Sequence, residues 1–326
     1  MIITRSPLRL SIGGGGTDLP SYYGDHEGYL IAMAIDRHVY VSLQRVLEQG
    51  ILLKYSRLEL VDSVDSIKHP IIRECLDYAG LRENRLEITS VADIPAGTGL
   101  GSSGSFTTAL LKAIHILQNR HVDPAQLAEQ ACEIELGRLR EPIGKQDQYI
   151  AAFGGLTEFT FRTDGTVDAH SLRVPSCVYE DLQENVLLFF TGKTRSASHI
   201  LLEQDTRTKA VDSAIIENLH RVKQLGFEIR DAFVRGDLGR WGEIMLEHWT
   251  AKKRRSADMT TPQIDEAYEA AIRHGAIGGK LVGAGGGGFL LFYAENPRRL
   301  REAMAPLGME EVRVRMEVEG TKVLTR

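Results

Sequence analysis

The stretch Pro95-Ala-Gly-Thr-Gly-Leu-Gly-Ser-Ser103 places a glycine at every second position from Gly97 to Gly101, directly ahead of an amphipathic segment. The apolar spacing after it predicts a helix that begins at about residue 103, with one stripe formed by Phe106, Ala109, Leu110, Ala113, Ile114 and Leu117. Glycines have no Cβ to keep a phosphate from the backbone, and the first N–H groups of a helix are unpaired at the positive end of its dipole. We therefore predict that Gly97, Gly99, Gly101, Ser102 and Ser103 hold a phosphate chain.

The residues alone leave other interpretations of this loop open. One serine could serve only as the helix N-cap, and the glycine clusters at 13–16, 97–104 and 283–288 could be tight turns. Gly99-Leu-Gly-Ser-Ser-Gly104 also matches the dinucleotide pattern G-x-G-x-x-G. In a dinucleotide site the strand runs directly into the first glycine, but here Pro95 interrupts that approach. The next acidic residue, Asp123, begins a helix, so an oxidoreductase is disfavoured. The Walker pattern G-x-x-x-x-G-K-[ST] is absent.

The bulk composition narrows the class of protein. Of the 326 residues, 43% are hydrophobic and 25% charged, as in an ordinary globular enzyme. The net charge is −5, and no basic block indicates nucleic acid. Cys75, Cys132 and Cys177 lack C-x-x-C spacing, so neither a disulfide framework nor a zinc site is expected. Without a signal-peptide core or a long apolar run, we expect a cytoplasmic protein with no membrane or nucleic-acid partner.

Strands and helices are mixed in both halves of the chain. The patterns predict strands at 2–12, 39–46, 86–91, 157–161, 186–190, 289–293 and 312–318. Further helices are predicted from Asp123, whose capping box includes Gln126, and over 210–234 and 237–249. The composition changes near 182–185. We therefore predict an α+β fold with antiparallel pairing, divided into an N-terminal lobe at 1–184 and a C-terminal lobe at 185–326.

Among the glutamates of the helix after Asp123, Glu135 is the one on the apolar side. It lies four residues after Ala131 and four before Leu139, whereas Glu129 and Glu133 share another face that is expected to be solvated. A buried carboxylate is costly unless it meets a cation. Glu135 is therefore either a Mg²⁺ ligand or the partner of a buried arginine.

Three segments together resemble the GHMP kinases, the family of galactokinase, homoserine kinase, mevalonate kinase and phosphomevalonate kinase. They are Pro7-Leu-Arg-Leu-Ser-Ile-Gly-Gly-Gly-Gly-Thr-Asp18, the loop at 95–103, and Lys280-Leu-Val-Gly-Ala-Gly-Gly-Gly-Gly-Phe289. The resemblance implies a lobe like ribosomal protein S5 domain 2, followed by a ferredoxin-like lobe. It implies ATP bound by Pro95, Gly97, Gly99, Leu100, Gly101, Ser102, Ser103 and Gly104, and Mg²⁺ on Ser103 and Glu135.

The resemblance also assigns catalytic roles. Asp147 would accept or orient the proton of the attacking hydroxyl, and Arg9 would stabilise the developing charge. From the residues alone, Asp147 could cap a helix and Arg9 could face the surface. Lys145 could hold phosphate, tune Asp147 or be solvated.

Local cues at 13–23, 141–149 and 191–196 are similar to the D-glycero-D-manno-heptose 7-phosphate kinases, which phosphorylate the anomeric hydroxyl. Other sugar 1-kinases, for galactose or fucose, and a non-catalytic relative are the alternatives. Asp18 resembles the aspartate of the sugar-using members of the family, which implies a sugar substrate, although from the residues alone it could cap a helix. A substrate phosphate would need cations, either Lys193 and Arg195 or the run at 252–255; the histidines show no metal spacing. The sequence does not determine the oligomeric state, and a homodimer is one alternative. The predicted substrate residues are Gly15, Gly16, Thr17, Asp18, Lys193, Arg195, Gly285 and Gly286.

Overall fold

The computed structural model describes residues 1–192 and 198–326, and within them the chain forms two β-sheets flanked by helices. The strands are β1 (Ile2–Gly13), β2 (Gly28–Arg45), β3 (Gly50–Lys54), β4 (Leu58–Val61), β5 (Arg85–Ala92), β6 (Leu156–Phe161), β7 (Val167–Ser171), β8 (Val186–Phe190), β9 (Gly278–Leu281), β10 (Phe289–Tyr293), β11 (Glu310–Glu311) and β12 (Lys322–Thr325).

The α-helices fill the segments between the strands. They are α1 (Pro20–His26), α2 (Pro70–Tyr78), α3 (Ser102–Leu117), α4 (Pro124–Cys132), α5 (Gln146–Phe153), α6 (Ser176–Asn185), α7 (Ser198–Lys209), α8 (Ser213–Arg235), α9 (Leu238–Lys253), α10 (Pro262–Arg273) and α11 (Pro297–Met304). A π-helical turn, Glu133–Arg138, continues α4. Short 3₁₀ turns occur at Val64–Ser66, Ala257–Met259 and Ala305–Leu307. In the part of the chain that is described, no helix is both long and apolar enough to span a bilayer.

The first sheet runs in the order β12-β1-β2-β5-β3-β4, and β6 pairs with both β2 and β7. Its pairings are antiparallel apart from the parallel pair β3–β5. Helix α3 packs on β1 and β2 and is buried on nearly all sides, which the single predicted stripe understated. Because β12 pairs with β1, the end of the chain returns to the sheet of the first half.

Strand β1 positions two kinds of side chain on its two faces. Leu8, Leu10 and Ile12 are fully buried in the apolar core, on one face of the strand. Arg9 and Ser11 point to the opposite face, where they line a cavity. The strand therefore carries a basic residue from the core sheet directly to the candidate site.

The second sheet runs in the order β11-β8-β10-β9 and is antiparallel throughout. Its apolar core includes Trp249, Phe189 and Phe292. Helix α9 packs on β9, and the long helix α8 packs on α9 and reaches back to β1 and β2. The two sheets are thereby joined by helices on the side where the glycine-rich loops lie.

The α+β prediction is confirmed, and most predicted elements match within two or three residues at either end. The segment 312–318 is different: it forms one bridge, between Met316 and Ile35, instead of a continuous strand. Val318 is exposed, contrary to the alternation. The division at 184/185 stays a prediction; β8 opens the second sheet at Val186.

Candidate active site

A cavity of about 630 Å³ lies where β1, the start of α3, the start of α5 and the β9–β10 loop meet. Its walls carry several of the charged side chains that the sequence singled out, together with others that it did not. These charged or polar lining residues include Arg9, Asp18, Ser102, Ser103, Glu135, Asp147, His248, Lys252, Arg255 and Lys280.

The loop before α3 has the backbone that the sequence predicts. Gly97, Gly99 and Gly101 have φ angles of 78°, 82° and 80°, a left-handed conformation that favours glycine. Gly101 is the N-cap of α3 and no side chain caps the helix, so the alternative that a serine is only the cap is wrong. The hydroxyl of Ser102 is buried without a hydrogen-bond partner among the described residues. The helix terminus is therefore left open toward the cavity, as an anion site requires.

The second and third glycine clusters touch each other. A Cβ on Gly283 would lie 2.4 Å from the Cα of Gly99, and a Cβ on Gly288 would lie 2.2 Å from the carbonyl oxygen of Thr98. Leu100 is buried beneath the loop, and its carbonyl accepts a hydrogen bond from the Arg9 N–H at 2.9 Å. Glycine is needed here for close backbone approach, not merely for turning.

Glu135 lies at the cavity wall on the π-helical turn and is only 1% exposed. It accepts hydrogen bonds from the Ser103 hydroxyl and from Gln148 Nε2, the latter at 3.0 Å. Burial raises the pKa of this carboxyl to about 7, against the opposing effect of these hydrogen bonds. Its partners in the described chain are neutral, so the buried-arginine alternative is wrong, and an oxygen pair suited to Mg²⁺ remains.

Arg9 and Asp147 form an ion pair at the centre of the cavity. Arg9 Nε and Nη2 lie 2.8 and 2.6 Å from Asp147 Oδ1, and Arg9 is 4% exposed. Arg9 Nη1 also donates to the carbonyl of Gly99 at 2.5 Å. A Cβ on Gly101 would lie 3.3 Å from Asp147 Cγ, so the pair faces the phosphate loop directly. The surface-facing alternative for Arg9 is therefore wrong.

Asp18 is buried beside this pair. Its Oδ2 accepts from the N–H of Gln146 and its Oδ1 from that of Gly16, both at 3.1 Å. Burial and, second, the charge of Asp147 raise its pKa. Asp18 therefore accepts a hydrogen bond from the first N–H of α5. It does not cap α1, the helix that follows it in sequence. The same contact ties the first motif to the helix that carries Asp147.

The other predicted substrate residues differ in position. Gly15 and Gly16 line the cavity. Thr17 is buried, and its hydroxyl donates to the carbonyls of Gly14 and Tyr29, so it fixes the glycine turn. Gly286 donates its N–H to Met259, and Gly285 packs against the Met259 sulfur. Lys193 and Arg195 lie outside the described residues, and a binding role for all these residues stays a prediction.

Two basic residues, Lys145 and Lys280, have environments in the structure that the sequence left open. Lys145 is buried and bonded to Glu129 Oε1 at 2.9 Å and to the carbonyl of Gly165, so it is not solvated and points away from Asp147. Lys280, which begins the third motif, was given no role, yet it lines the cavity. Three other basic residues of the cavity could have been found from the sequence, because they recur at helical spacing on one face. They are His248, Lys252 and Arg255.

One end of the cavity is apolar and aromatic. Tyr55, His69, Ile71, Phe106 and Val39 line it, and the His69 ring centroid lies 4.7 Å from that of Tyr55 and 5.2 Å from that of Phe106. Flat aromatic and aliphatic walls of this kind suit a purine ring. The sequence has no local signal for this region, because its residues come from separate elements.

Two family descriptions match the chain in order. GHMP kinases N terminal domain matches residues 66–155, and GHMP kinases C terminal matches residues 229–308. The two matches cover more than half of the 326 residues, and they include the phosphate loop and the third glycine cluster. The chain belongs to the GHMP kinase family and is an ATP-dependent phosphotransferase.

Individual relatives are similar over nearly their full length. D-glycero-alpha-D-manno-heptose 7-phosphate kinase of Campylobacter jejuni is 29% identical over 91% of both chains. Galactokinase of Pyrococcus furiosus is 26% identical over 88% of this chain and 87% of the relative. The crystal structure of a D-glycero-D-manno-heptose 1-phosphate kinase from Bacteroides thetaiotaomicron shares the fold, with a TM-score of 0.81 and 24% identity over 100% of this chain and 99% of the other.

Proposed function

We propose that this kinase transfers the γ-phosphoryl group of ATP to the anomeric hydroxyl of D-glycero-D-manno-heptose 7-phosphate and forms the 1,7-bisphosphate. The observation that carries the proposal is the Arg9–Asp147 pair, which faces the open N-terminus of α3 in the cavity that also holds Asp18. Phosphoryl transfer needs a held triphosphate and an oriented hydroxyl more than covalent chemistry. The cavity supplies groups for both.

The nucleotide would lie along the cavity wall formed by the first lobe. The apolar end around Tyr55, His69 and Phe106 suits the base. The loop from Gly97 to Gly101 and the first N–H groups of α3 suit the phosphates, with the Ser102 hydroxyl as an added donor. The line from base to phosphates then ends opposite Arg9 and Asp147.

Ser103 and Glu135 are the residues that would hold Mg²⁺. The two side chains are already hydrogen-bonded, and a buried carboxylate with only neutral partners is a fitting oxygen donor for a hard cation. When bound, the ion would offset charge on the phosphate oxygens and help to orient them.

Asp147 would take the proton of the attacking hydroxyl at Oδ1 or Oδ2. Arg9 keeps the carboxylate oriented, and its buried positive charge offsets the negative charge that develops as the alkoxide forms. Its simultaneous contact with Gly99 ties this orientation to the phosphate loop. The hydroxyl that accepts the phosphoryl group and the phosphate chain that donates it would thus be aligned by the side chain of Arg9.

Asp18 supports a sugar as the acceptor, because a buried carboxylate at the cavity wall is suited to accept hydrogen bonds from hydroxyls. The similarity to the Campylobacter heptose 7-phosphate kinase favours the phosphorylated heptose. The galactokinases and the fucokinases among the relatives keep another sugar 1-kinase as the second candidate.

The test is a coupled ADP-release assay with heptose 7-phosphate, heptose, mannose, galactose, fucose and mevalonate at matched concentrations. The proposal expects heptose 7-phosphate to have the highest kcat/KM, with the new phosphate on C1 by ³¹P NMR. A higher kcat/KM for galactose or fucose would establish the second candidate instead. Mevalonate as the best acceptor would contradict any sugar assignment.

A further inference from the structure

The geometry points to a buried phosphate-binding subsite, formed by Arg255 and Lys280 with His248 and Lys252, that holds the substrate's own phosphate at the sugar end of the cavity. This inference rests on the proposed sugar phosphate substrate and assigns the group that recognises it.

The four side chains come from α9, the residues just after it, and β9. All four line the cavity, and all are at least nine-tenths buried; Arg255 is 3% exposed. Their neighbours in the run at 252–255, Lys253 and Arg254, are exposed. The fold thus selects two of four consecutive basic residues and turns them inward.

The hydrogen bonds of these cations leave donors unused. Lys280 Nζ donates to the carbonyl of Ile12 at 2.9 Å, and Lys252 Nζ donates to that of Leu281 at 2.8 Å and also to that of Gly283. Arg255 donates to Asn218 and to the carbonyl of Gly15, both at 3.0 Å, while its Nη2 is buried and unpartnered among the described residues. Both ring nitrogens of His248 are also buried and have no hydrogen-bond partner among the described residues.

The acceptors of these bonds are neutral, and among the described residues only the nearby carboxylate of Asp18 attracts Arg255, so most of the positive charge is not offset. Burial, and after it the mutual repulsion of the cluster, lowers the pKa of Lys280 to about 7 and that of Lys252 well below its usual range. Burial also lowers the pKa of Arg255 to about 10, against the attraction of Asp18. Concentrating cations away from water is costly unless an anion meets them. A phosphate dianion supplies the missing charge, and a guanidinium fork suits it.

The position of the cluster favours the sugar end over the nucleotide. Lys280 and Arg255 hold the carbonyls of Ile12 and Gly15, which flank the glycine turn that leads to Asp18. A Cβ on Gly16 would lie 2.4 Å from Arg255 Nη1, so the turn and the guanidinium are in direct contact. The γ-phosphate of ATP has the same chemistry, however, and the experiment must separate the two sources.

The test compares Arg255→Gln with Arg254→Gln, which removes the same charge from the exposed neighbour. Steady-state kinetics are measured with heptose 7-phosphate, with unphosphorylated heptose and with varied ATP. We expect Arg255→Gln to lower the preference for the phosphorylated sugar by about 10–100-fold, as loss of a charged hydrogen bond predicts. The KM of Arg255→Gln for ATP should change by less than about twofold. The preference of Arg254→Gln for the phosphorylated sugar should also stay within about twofold of the wild type. An equal loss on both sugars with a raised KM for ATP would assign the cations to ATP and overturn the inference.

A binding measurement separates this inference from the proposed reaction. Thermal unfolding of the nucleotide-free protein is followed with and without inorganic phosphate, and Lys280→Met is added because it removes a buried charge without a large change in volume. We expect phosphate to raise the Tm of the wild type and of Arg254→Gln by more than that of Lys280→Met or Arg255→Gln, because any phosphate bound at the loop from Gly97 to Gly101 stabilises all four proteins alike. If wild type rejects heptose 7-phosphate yet shows this pattern, the subsite stands and the substrate assignment fails. If heptose 7-phosphate is turned over and the variants keep its preference, the reaction stands and the subsite fails.

Discussion

Arg9 Nε lies 2.8 Å from Asp147 Oδ1, while the same guanidinium donates to the carbonyl of Gly99 in the phosphate loop. These two contacts cross 138 and 90 residues of sequence, and through one side chain they join the first motif to the phosphate loop and to the start of α5. A planar fork can satisfy both acceptors at once, whereas an ammonium group on a flexible stem cannot hold both in fixed directions. The orientation of Asp147 toward the loop therefore depends on the guanidinium itself.

The first prediction is that Arg9→Lys lowers kcat by about 10²–10³-fold although the charge is kept, because the aligned stabilisation at the reacting hydroxyl is lost. Arg5→Lys, four residues earlier on β1 and paired with Glu317 near the surface, is the matched control and should keep kcat within about twofold. Initial rates at saturating substrates are the measurement. Equal rates for the two variants would mean that charge alone is required at residue 9.

A second prediction concerns the contact between the two glycine loops. Gly283→Ala should raise the KM for ATP and lower Tm, because its Cβ would meet the Gly99 backbone at 2.4 Å. Gly308→Ala has a similar backbone strain, with φ of 69° against 79°, but nothing lies within 4 Å of its Cβ. It should therefore lower Tm only slightly and leave the KM for ATP unchanged. If both variants alter the KM for ATP alike, the interloop contact is not what shapes the nucleotide site.

The third prediction tests the metal assignment. Glu135→Gln should raise the Mg²⁺ concentration for half-maximal rate by at least about tenfold, because even residues that only orient metal ligands contribute that much. Glu133→Gln removes a carboxylate two residues earlier on the exposed side of the same turn and should behave like the wild type. The measurement is a Mg²⁺ titration at fixed ATP. Unchanged Mg²⁺ dependence in Glu135→Gln would remove this residue from the metal site.

A fourth prediction follows from the burial of Lys280, whose pKa in the folded protein is about 7 against an ordinary value of 10.5. Between those values the unfolded chain holds a proton that the folded protein does not, so this group makes stability rise with pH from about 7 to about 10.5. The groups that face Lys280 are all basic, and their repulsion lowers its pKa in the same direction as burial does. They are Arg255, Arg9, Lys252 and His248. Without phosphate, the free energy of unfolding of Lys280→Met, followed by denaturant titration, should therefore exceed that of the wild type near pH 7. The gap should narrow toward pH 10; a constant gap would contradict the shift.

The parts of the fold that sequence predicted are those with local signals. Strand β8 and the capping box of α4 match residue for residue, because five apolar residues and an Asp-Pro start define them alone. The first eleven residues of β2, 28–38, were not predicted, because all of them except Asp36 and Arg37 are buried and they show no alternation. The irregular 312–318 segment shows the converse, because its alternating residues lack a continuous partner strand.

The candidate site divides in the same way. The phosphate loop could be predicted because glycine spacing and a helix start lie together in sequence, whereas the π-helical turn that carries Glu135 has no comparable local signal. Helical spacing from His248 groups Lys252 and Arg255 on one face, but the sequence does not show that this face, and not the face of Lys253 and Arg254, is the inward one. Their separation depends on the packing of α9 against β9, which only the tertiary structure fixes.

The central claim is that Asp147 serves the transfer step and not nucleotide binding. The most direct measurement is single-turnover phosphoryl transfer by Asp147→Asn, combined with the Kd for MgATP of the same variant. The account predicts a transfer rate lower by about 10²–10⁴-fold with a Kd within about threefold of the wild type, as expected for loss of a general base. A transfer rate equal to that of the wild type, with MgATP bound normally, would contradict it.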